Sequence, residues 1–453
     1  MVVLGATGDL AVRHLLPALA RLVACESVPP ELTVVGVGRE SMTTSEYRTS
    51  LAANLERHAS AVPLEHRQRL VDRVEYHPAD LERSTSLVSA VGDQPVIAYL
   101  ALPPAAYPAA VRALRAAGIH PASRVAVEKP FGTDARSARA LTELLHETVP
   151  ERNVFRVDHF LHHQTVQNLL ALRWHNPFVE QMWSREHVDR VEITWEETAT
   201  VGDRAGFFDG TGALRDMVQS HLLQLLALVA MDLPAEPDER QLRDAKADVL
   251  RKVRPPSPAA VSRETVRGRY TAGFVAGRPV AGYAQLPGVD PDRDTETYAA
   301  VRLEVDDERW SGVPFLLRTG KAVAEDRRCV TLHLRSSATS GRPAAPGGAL
   351  RISMLPERVG LQLALCGPDG AAAPELVELS AEPPRPSLPA SGRLLLDLLS
   401  GDPARAVRDD EALECWRVTD AVLDGWRWAA TPVRQYAAGS AGPVPEGWSD
   451  ANS

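Results

Sequence analysis

The stretch Val2-Val-Leu-Gly5-Ala-Thr-Gly8-Asp9-Leu10 decides the fold of the N-terminal part of the chain. It joins a short apolar strand, a glycine turn and the start of an amphipathic helix that continues to about residue 23. A glycine turn lets backbone N–H groups approach a pyrophosphate at the positive end of a helix. The GxxG spacing is weak by itself, but its place directly after the first strand favours a dinucleotide site. The cofactor-binding residues predicted here are Gly5, Thr7, Gly8, Asp9 and Leu10.

The first 150 residues alternate short apolar runs with helical periodicity. The runs cover residues 1–4, 32–37, 96–101 and 125–127, and the clearest helical pattern covers residues 10–23. This alternation is typical of a parallel α/β arrangement. The sequence therefore predicts a Rossmann-like dinucleotide-binding domain over residues 1–150.

The pattern changes after about residue 178, where strand-like segments are grouped together. They cover residues 188–196, 297–305, 329–335, 349–354 and 360–365, and Pro-rich loops separate some of them. Grouped strands with helices elsewhere indicate an α+β domain whose large sheet is mainly antiparallel. We expect this domain over residues 151–440 and a weakly ordered tail over residues 441–453. The fold class predicted for the whole chain is α/β.

Composition excludes several classes of partner. The 453 residues include 24% charged and 44% hydrophobic side chains, with a net charge of −9. An acidic chain has no basic surface for nucleic acid or an anionic membrane. Four cysteines without CxxC spacing, no leader-like N-terminal run and no apolar stretch of membrane-spanning length favour a cytoplasmic protein.

Lysine is rare in this chain, since only four of the 50 basic residues are lysines and the others are arginines. Where arginine replaces lysine so widely, a retained lysine is a candidate for work that needs a compact ammonium. The four are Lys129, Lys246, Lys252 and Lys321. For Lys246 and Lys252, retention by chance is an equally good interpretation.

The residues that follow the second apolar run bear on cofactor choice. Arg39 stands where many NAD-binding domains place a carboxylate for the ribose 2′-OH, and an arginine there can receive a 2′-phosphate. We therefore expect NADP as the cofactor. Glu40, the next residue, keeps NAD possible.

Two longer motifs carry a resemblance to a known family. They are Arg156-Val-Asp158-His159-Phe160-Leu161 and Arg215-Asp216-Met-Val-Gln219-Ser-His221. Shorter stretches support them, among them Tyr99-Leu-Ala-Leu-Pro103, Glu128-Lys129-Pro130-Phe131-Gly132 and Arg318-Thr-Gly320-Lys321. From Leu4 to about residue 430, in order, the sequence resembles the glucose-6-phosphate dehydrogenase family.

The resemblance implies roles for individual residues. His221 matches the base that takes the C1 hydroxyl proton of the sugar, and a histidine suits that role because it titrates near neutrality. Asp158 matches the carboxylate that orients this imidazole. Lys129 matches a lysine between sugar and nicotinamide, and the family's cis peptide bond is expected before Pro130. The other implied positions are Pro103 for the cofactor, Glu197, Asp216 and Lys321 for sugar hydroxyls, and His159 and His163 for the 6-phosphate.

The chain departs from the family pattern at the phosphate end of the sugar. Phe160 stands where the family has a tyrosine, and His163 and His14 stand where it has lysines. Leu355 replaces a polar residue before Pro356. A preference for arginine does not explain these changes, so they favour altered recognition of the C6 end. The alternative is that neighbouring arginines or partly charged histidines still hold glucose 6-phosphate.

The sequence thus favours an NADP-dependent oxidoreductase of carbohydrate metabolism that oxidises glucose 6-phosphate, or a sugar altered at C6, to the 1,5-lactone. One alternative is an ordinary glucose-6-phosphate 1-dehydrogenase of the pentose phosphate pathway. Another is a catalytically silent NADPH-binding regulatory protein. No metal is expected, although His159, His162 and His163 share the spacing of one helix face. The resemblance also implies a homodimer or a dimer of dimers.

Overall fold

The computed structural model describes residues 1–83, 87–236, 238–336, 347–366, 374–444 and 448. The chain divides into two compact units. The first comprises Met1–Gln164, Glu236–Arg243 and Pro386–Leu413, and the second comprises Thr165–Ala235, Asp244–Arg385 and Glu414–Ser453. Both units are discontinuous in sequence, while the linear division at residue 150 stays a prediction. Of the predicted weakly ordered tail, residues 445–447 and 449–453 lie outside the described residues.

The first unit is built on a six-stranded parallel sheet in the order β3-β2-β1-β4-β5-β6. This is the doubly wound order in which a dinucleotide binds where the strand order reverses. The Rossmann-like prediction is confirmed. The strands are β1 Val2–Leu4, β2 Val34–Gly38, β3 Val74–Pro78, β4 Ile97–Leu100, β5 Arg124–Glu128 and β6 Val154–Val157.

Four of the six strands coincide with the apolar runs predicted from the sequence, whereas β3 and β6 were not predicted. In β3 the buried residues Val74 and Tyr76 alternate with the polar residues Glu75 and His77, which are exposed or half-buried. The strand therefore has no continuous apolar run in the sequence. In β6 all four residues are buried, including Arg156. Its guanidinium donates to Glu151 at 2.7 and 3.0 Å, which satisfies a charge that the sequence pattern assigns to the surface.

Helices cover the sheet of the first unit, and its core includes apolar side chains that lie far apart in sequence. Leu394, Leu395 and Leu398 belong to the same buried cluster as Val3 of β1. Residues near position 395 therefore complete the core of the N-terminal fold. The first six helices are α1 Leu16–Ala24, α2 Thr44–His58, α3 Leu64–Asp72, α4 Val88–Val91, α5 Tyr107–Ala116 and α6 Ala135–His146.

The remaining helices follow in chain order, and α13 is the helix that carries Leu394 to Leu398. They are α7 Gln164–His175, α8 Pro177–Met182, α9 Ala205–Asp209, α10 Leu223–Ala230, α11 Glu239–Lys252, α12 Val261–Glu264, α13 Ala390–Ser400 and α14 Asp409–Trp428. Two π-helical segments, Ala11–Leu15 and Leu214–Leu222, lead directly into α1 and α10. Among the described residues, no helix has both the length and the apolar composition needed to cross a membrane.

The second unit is built on a ten-stranded sheet, in which nine strands run in the order β17-β16-β15-β14-β7-β13-β12-β9-β18 and β8 pairs with β12. A separate hairpin joins β10 and β11. The strands are β7 Val188–Glu196, β8 Val253–Arg254, β9 Thr265–Thr271, β10 Gly273–Val275, β11 Arg278–Val280, β12 Tyr298–Val305, β13 Phe315–Gly320, β14 Arg327–Leu334, β15 Ala349–Met354, β16 Glu357–Cys366, β17 Pro374–Ala381 and β18 Val433–Ala437.

Most neighbours in this sheet are antiparallel, which confirms the fold class predicted from the sequence. Two pairs are parallel, β7 with β13 and β9 with β18. The parallel pairing of β7 and β13 has a functional consequence. It places the carboxyl ends of both strands, at Glu196 and Gly320, side by side on one edge of the sheet.

Candidate active site

The glycine turn after β1 is formed as the sequence predicts. Gly5 adopts a φ of +84°, and a Cβ there would lie 2.3 Å from the carbonyl oxygen of Ala101. The backbone N–H of Gly8 donates to the Gly5 carbonyl at 2.9 Å and closes the turn. Only glycine fits at position 5, because its backbone conformation and the close approach of the chain after β4 both exclude a side chain.

The other predicted cofactor residues lie near the same edge of the sheet. Thr7 is in the turn and its hydroxyl donates to the Glu40 carboxylate at 2.9 Å. Asp9 is largely exposed and pairs with Arg13 at 2.8 Å, one turn along the helical segment. Arg39 directly follows β2, and Pro103 lies shortly after the end of β4. Both residues are exposed. Leu10 is half-buried and packs against the apolar core.

These residues fit a nicotinamide dinucleotide. The carboxyl ends of β1, β2 and β4 are adjacent because the three strands are parallel neighbours. A side-chain-free turn leads into a helical segment, as pyrophosphate binding requires. Among the described residues, this unit therefore provides both the turn and the neighbouring strand ends of a dinucleotide cradle.

The strand ends of β5 and β6 carry the next pair of predicted residues. Lys129 follows β5 and Asp158 follows β6, and the two strands pair through Glu128 and Val157. The peptide bond between Lys129 and Pro130 is cis, which confirms that prediction. Asp158 is fully buried, and its carboxylate accepts a hydrogen bond from the backbone N–H of Phe160 at 3.3 Å.

Glu128 is a titratable residue at this edge that sequence reasoning did not assign to the site. Burial raises the pKa of its carboxyl to about 7, with the negative charge of Asp158 acting in the same direction and the Tyr99 hydrogen bond and Lys129 opposing it. Tyr99 donates from its hydroxyl to this carboxylate, and Tyr107 donates to the backbone carbonyl of Glu128 at 2.9 Å. The position of Glu128 directly before Lys129 was the available signal, but its contact with Tyr99 was not visible in the sequence.

The three histidines after Asp158 differ in their surroundings. His159 and His163 are exposed, and their ring centroids lie 6.3 Å apart. His162 is buried and its Nε2 lies 3.1 Å from the carboxylate of Asp397, which Arg405 also contacts at 2.6 Å. Thus His162 and Arg405 both contact the carboxylate of Asp397. His162 therefore does not share an exposed face with His159 and His163.

A second group of possible metal ligands, His146, Glu151 and Asp409, gathers in the first unit within 4.8 Å. Glu151 already accepts two hydrogen bonds from Arg156 and one at 3.1 Å from the backbone N–H of Asp409. These contacts compensate the charge of Glu151 without a metal. The group is an ion-pair network that connects residue 409 to the sheet.

His221, in the second unit, lies in the π-helical segment Leu214–Leu222. Its side chain is buried, with 5% exposed, and its ring is tilted by 31° against Trp195 at a centroid distance of 5.6 Å. The segment begins at Leu214, whose backbone N–H donates to the carboxylate of Glu296 at 2.9 Å. π-helical turns concentrate at functional sites, and here one turn carries both Asp216 and His221.

The parallel pairing of β7 and β13 brings Glu197 and Lys321 together, because each residue directly follows its strand. Lys321 donates from its ammonium to the Glu197 carboxylate. Arg328 donates to the other carboxylate oxygen at 2.9 Å. Glu197 is therefore held between two cations, and its charge is compensated.

Arg328 and Trp195 are two further residues that sequence reasoning missed. The guanidinium carbon of Arg328 lies 5.3 Å from the centre of the Trp195 ring, whose neighbour is His221. A continuous set of contacts thus runs from Lys321 through Glu197 and Arg328 to Trp195 and His221. No motif signals it, because the residues come from three separate segments of the chain.

The other two lysines have different environments. Lys246 is buried and donates to the side chain of Gln224 at 3.1 Å. Lys252 pairs with Asp248 and Asp307 near the surface, and these two carboxylates raise its pKa.

The predicted site residues therefore form two groups, one in each unit. Lys129, Asp158, His159 and His163 belong to the first, and Glu197, Asp216, His221 and Lys321 belong to the second. The orienting contact expected between Asp158 and His221 stays a prediction.

Two family models match almost the whole chain. Residues 2–168 match "Glucose-6-phosphate dehydrogenase, NAD binding domain", and residues 170–447 match "Glucose-6-phosphate dehydrogenase, C-terminal domain". Curated relatives are similar over their full length. A glucose-6-phosphate 1-dehydrogenase from Gluconobacter oxydans is 36% identical over 98% of this chain and 94% of its own, and one from Bacillus subtilis is 32% identical over the same shares.

Solved structures agree with these matches. A glucose-6-phosphate dehydrogenase in complex with its substrate glucose 6-phosphate superimposes with a TM-score of 0.89 at 28% identity, over 98% of this chain and 95% of that one. A glucose-6-phosphate 1-dehydrogenase from Mycobacterium avium gives a TM-score of 0.83 at 33% identity over the same shares.

Proposed function

Because the chain belongs to the glucose-6-phosphate dehydrogenase family, we propose that it oxidises a hexose at C1 to the 1,5-lactone with NADP as hydride acceptor. The substrate is glucose 6-phosphate or a related sugar that differs at C6, and NAD is the alternative acceptor. The observation that carries the proposal is the buried His221, which lies against Trp195 in the unit that also carries Glu197, Asp216 and Lys321. This unit supplies a base and polar groups suited to sugar hydroxyls.

His221 is the proposed base. It takes the proton of the C1 hydroxyl as the C1–O bond gains double-bond character, while the C1 hydrogen leaves with its electron pair. When bound, the nicotinamide accepts that hydride. The neutral imidazole must present a nitrogen to the hydroxyl, and Trp195 supports one side of the ring. Asp158 is the carboxylate proposed to orient the imidazole and to stabilise its protonated form.

Glu197, Asp216 and Lys321 are proposed to bind sugar hydroxyls. A carboxylate accepts hydrogen bonds and an ammonium donates them, so the pair of Glu197 and Lys321 offers both functions at one strand edge. Arg328 donates to Glu197 and holds its carboxylate in place. Lys129, which directly follows β5 in the unit with the dinucleotide cradle, is proposed to lie between the sugar and the nicotinamide.

The C6 end of the sugar decides between the two substrates. The names of the relatives favour glucose 6-phosphate. Phe160 and His163 favour a sugar with a different C6 end, because a buried phenyl ring has no hydroxyl to donate and a histidine carries less charge at neutral pH than a lysine. His159 remains as an exposed candidate ligand in either case.

We further propose that the chain forms a homodimer, or a dimer of dimers, through the sheet of the second unit. Leu363 and Val377 are directly opposite each other on β16 and β17, and Leu365 and Leu379 share their face by strand alternation. These four side chains are 37% to 59% exposed. Apolar side chains grouped beside an edge strand are typical of an interaction surface.

All four cysteines are free thiols, in keeping with the proposed cytoplasmic location.

The decisive experiment measures NADP and NAD reduction by the purified protein with glucose, glucose 6-phosphate, amino sugars and amino-sugar phosphates. We expect reduction with at least one of these sugars and a lactone as the product, detected by trapping with hydroxylamine. Efficient turnover of glucose 6-phosphate alone would assign the ordinary activity, and turnover of another sugar alone would assign the altered one. Binding of NADPH without reduction of NADP by any sugar would instead support the regulatory alternative.

A further inference from the structure

The backbone of Lys321 is held on both sides within the second unit. Its N–H donates to the carbonyl of Thr297 at 3.0 Å, and its carbonyl accepts the hydroxyl of Tyr436 at 2.7 Å. Burial raises the pKa of Tyr436, so its hydroxyl stays protonated and able to donate. The same hydroxyl lies 2.9 Å from the hydroxyl of Thr297. The backbone of the lysine is therefore fixed by the same two residues, which also contact each other.

Ala322, the next residue, adopts a left-handed backbone conformation. Its φ is +53°, which is uncommon for a residue other than glycine, and the residue is fully buried. Its N–H donates to the carbonyl of Ala199 at 3.0 Å, and its carbonyl accepts the N–H of Gly439 at 2.7 Å. Such a conformation persists only where the surrounding structure fixes it. It lies directly after the lysine that is proposed to bind sugar hydroxyls.

Residues near the C-terminus form one side of this turn. Tyr436 lies in β18, 115 positions after Lys321, and Gly439 and Ser440 follow that strand. The carbonyl of Ser440 accepts the N–H of Ala324 at 2.9 Å. We call Tyr436, Gly439 and Ser440 the C-terminal clamp, because together they bind the backbone from Lys321 to Ala324.

The C-terminal clamp is itself anchored to the large sheet. β18 is a parallel neighbour of β9, and the N–H of Ala438 donates to the carbonyl of Thr271 at 3.2 Å. Gly439 has a φ of +84°, and a Cβ there would lie 1.8 Å from the carbonyl oxygen of Phe274. The close contact between the clamp and β10 therefore requires glycine at this position.

We propose that Tyr436 is a positioning residue for sugar binding, which acts through the backbone of Lys321. The side chain of a lysine is long and flexible, so its ammonium is held in one place only if both of its ends are fixed. Glu197 contacts the ammonium, and the C-terminal clamp fixes the backbone. Donors that are already in place bind the sugar hydroxyls at a lower entropic cost. The inference rests on the proposed function and adds a positioning residue to it.

The first test compares the steady-state kinetics of wild type and Tyr436→Phe, which removes the donor to Lys321 and keeps the ring. We expect KM for the oxidised sugar to rise about three- to ten-fold, with kcat and the NADP dissociation constant nearly unchanged. Tyr283→Phe is the matched control, because it also removes a buried hydroxyl, which donates to Asp209 at 2.9 Å. The control should leave KM unchanged, and a rise of the same size in both variants would overturn the proposal.

A double-mutant cycle separates positioning from a general loss of stability. In a Lys321→Ala background, Tyr436→Phe should not raise KM further, because the ammonium that it positions is absent. An equal rise in KM with and without the lysine side chain would contradict a role exerted through Lys321.

The rarity of lysine provides a readout that does not need a sugar. Labelling with 15N-lysine gives backbone signals from four residues, and the signal missing from Lys321→Ala identifies position 321. We expect its amide hydrogen exchange to accelerate about ten-fold in Tyr436→Phe, because Tyr436 also contacts its acceptor residue Thr297, while the other three signals are unchanged. Unchanged exchange at Lys321, or faster exchange without a rise in KM, would overturn the proposal. If wild type oxidises no sugar, the proposed function fails, while the exchange rates still show whether Tyr436 holds Lys321.

Discussion

The two units of the molecule build their functional edges in different ways. In the first, the cofactor edge depends on backbone: a glycine turn without side chains and the carboxyl ends of parallel strands. In the second, the edge depends on side chains that pair with each other, as Lys321, Glu197 and Arg328 do. The glycine turn is formed by one contiguous motif, whereas the side-chain network needs residues from several strands. The two edges should therefore respond differently to mutation.

The largest difference between effects on the two units is expected from His221→Asn. Loss of the base should lower kcat by about two to four orders of magnitude, the usual contribution of a positioned general base. NADP binding should stay unchanged, because the cofactor cradle belongs to the first unit. Steady-state kinetics and calorimetric NADP titration measure the two quantities. A variant that keeps a tenth of the activity would show that another group is the base.

The half-buried Glu128 of the first unit gives a pH-dependent stability effect. Burial raises the pKa of Glu128 to about 7 from an ordinary value of 4.5, so the unfolded chain loses this proton first. Between these values the native state binds more protons, and stability falls as pH rises. Glu128→Gln removes the effect, so its stability relative to wild type should increase through this window by up to about 3 kcal/mol.

Urea unfolding of wild type and Glu128→Gln at pH 5 and pH 8 measures this difference, with Glu56→Gln as the exposed control. Glutamine keeps the oxygen that accepts the Tyr99 hydroxyl. A stability difference that is the same at both pH values would contradict a raised pKa of Glu128 in the native state.

The C6 end of the sugar can be tested by restoring the family pattern with Phe160→Tyr and His163→Lys together. The double variant gains a hydroxyl and a permanent charge, so KM for glucose 6-phosphate should fall by about one order of magnitude or more. If the native substrate lacks the phosphate, activity with that substrate should fall at the same time. Kinetics over the sugar panel measure both effects. Unchanged KM values for every sugar would show that these two positions do not contact the C6 end.

The smallest effect is expected for the ring beside the base. Trp195→Leu removes the aromatic contact with His221, and such contacts contribute about 0.5–1.5 kcal/mol, so kcat should fall about two- to ten-fold. Trp195→Phe keeps an aromatic ring and should recover most of the rate, with a pH profile like that of wild type. A positioning role is contradicted if leucine and phenylalanine lower kcat equally.

Much of the first unit could be predicted from the sequence, because its features are local. The glycine turn, the helical region after it and the strand at residues 125–127 depend on apolar periodicity and on the conformational freedom of Gly5. The strands β3 and β6 could not be predicted in this way. In β6 a buried Arg156 interrupts the apolar pattern, and only its pairing with Glu151 makes that burial possible.

For the site, the sequence by itself determined which chemical groups the chain keeps, through the motifs around Asp158 and His221. Only the tertiary structure decided that Trp195 and Arg328 accompany His221, that His162 is committed to Asp397, and that the carboxyl of Glu128 has a raised pKa. The physical reason is the range of the interactions. Periodicity and turn chemistry act between neighbours in the chain, whereas burial and ion pairing depend on strands such as β7 and β13, which meet only when the sheet forms.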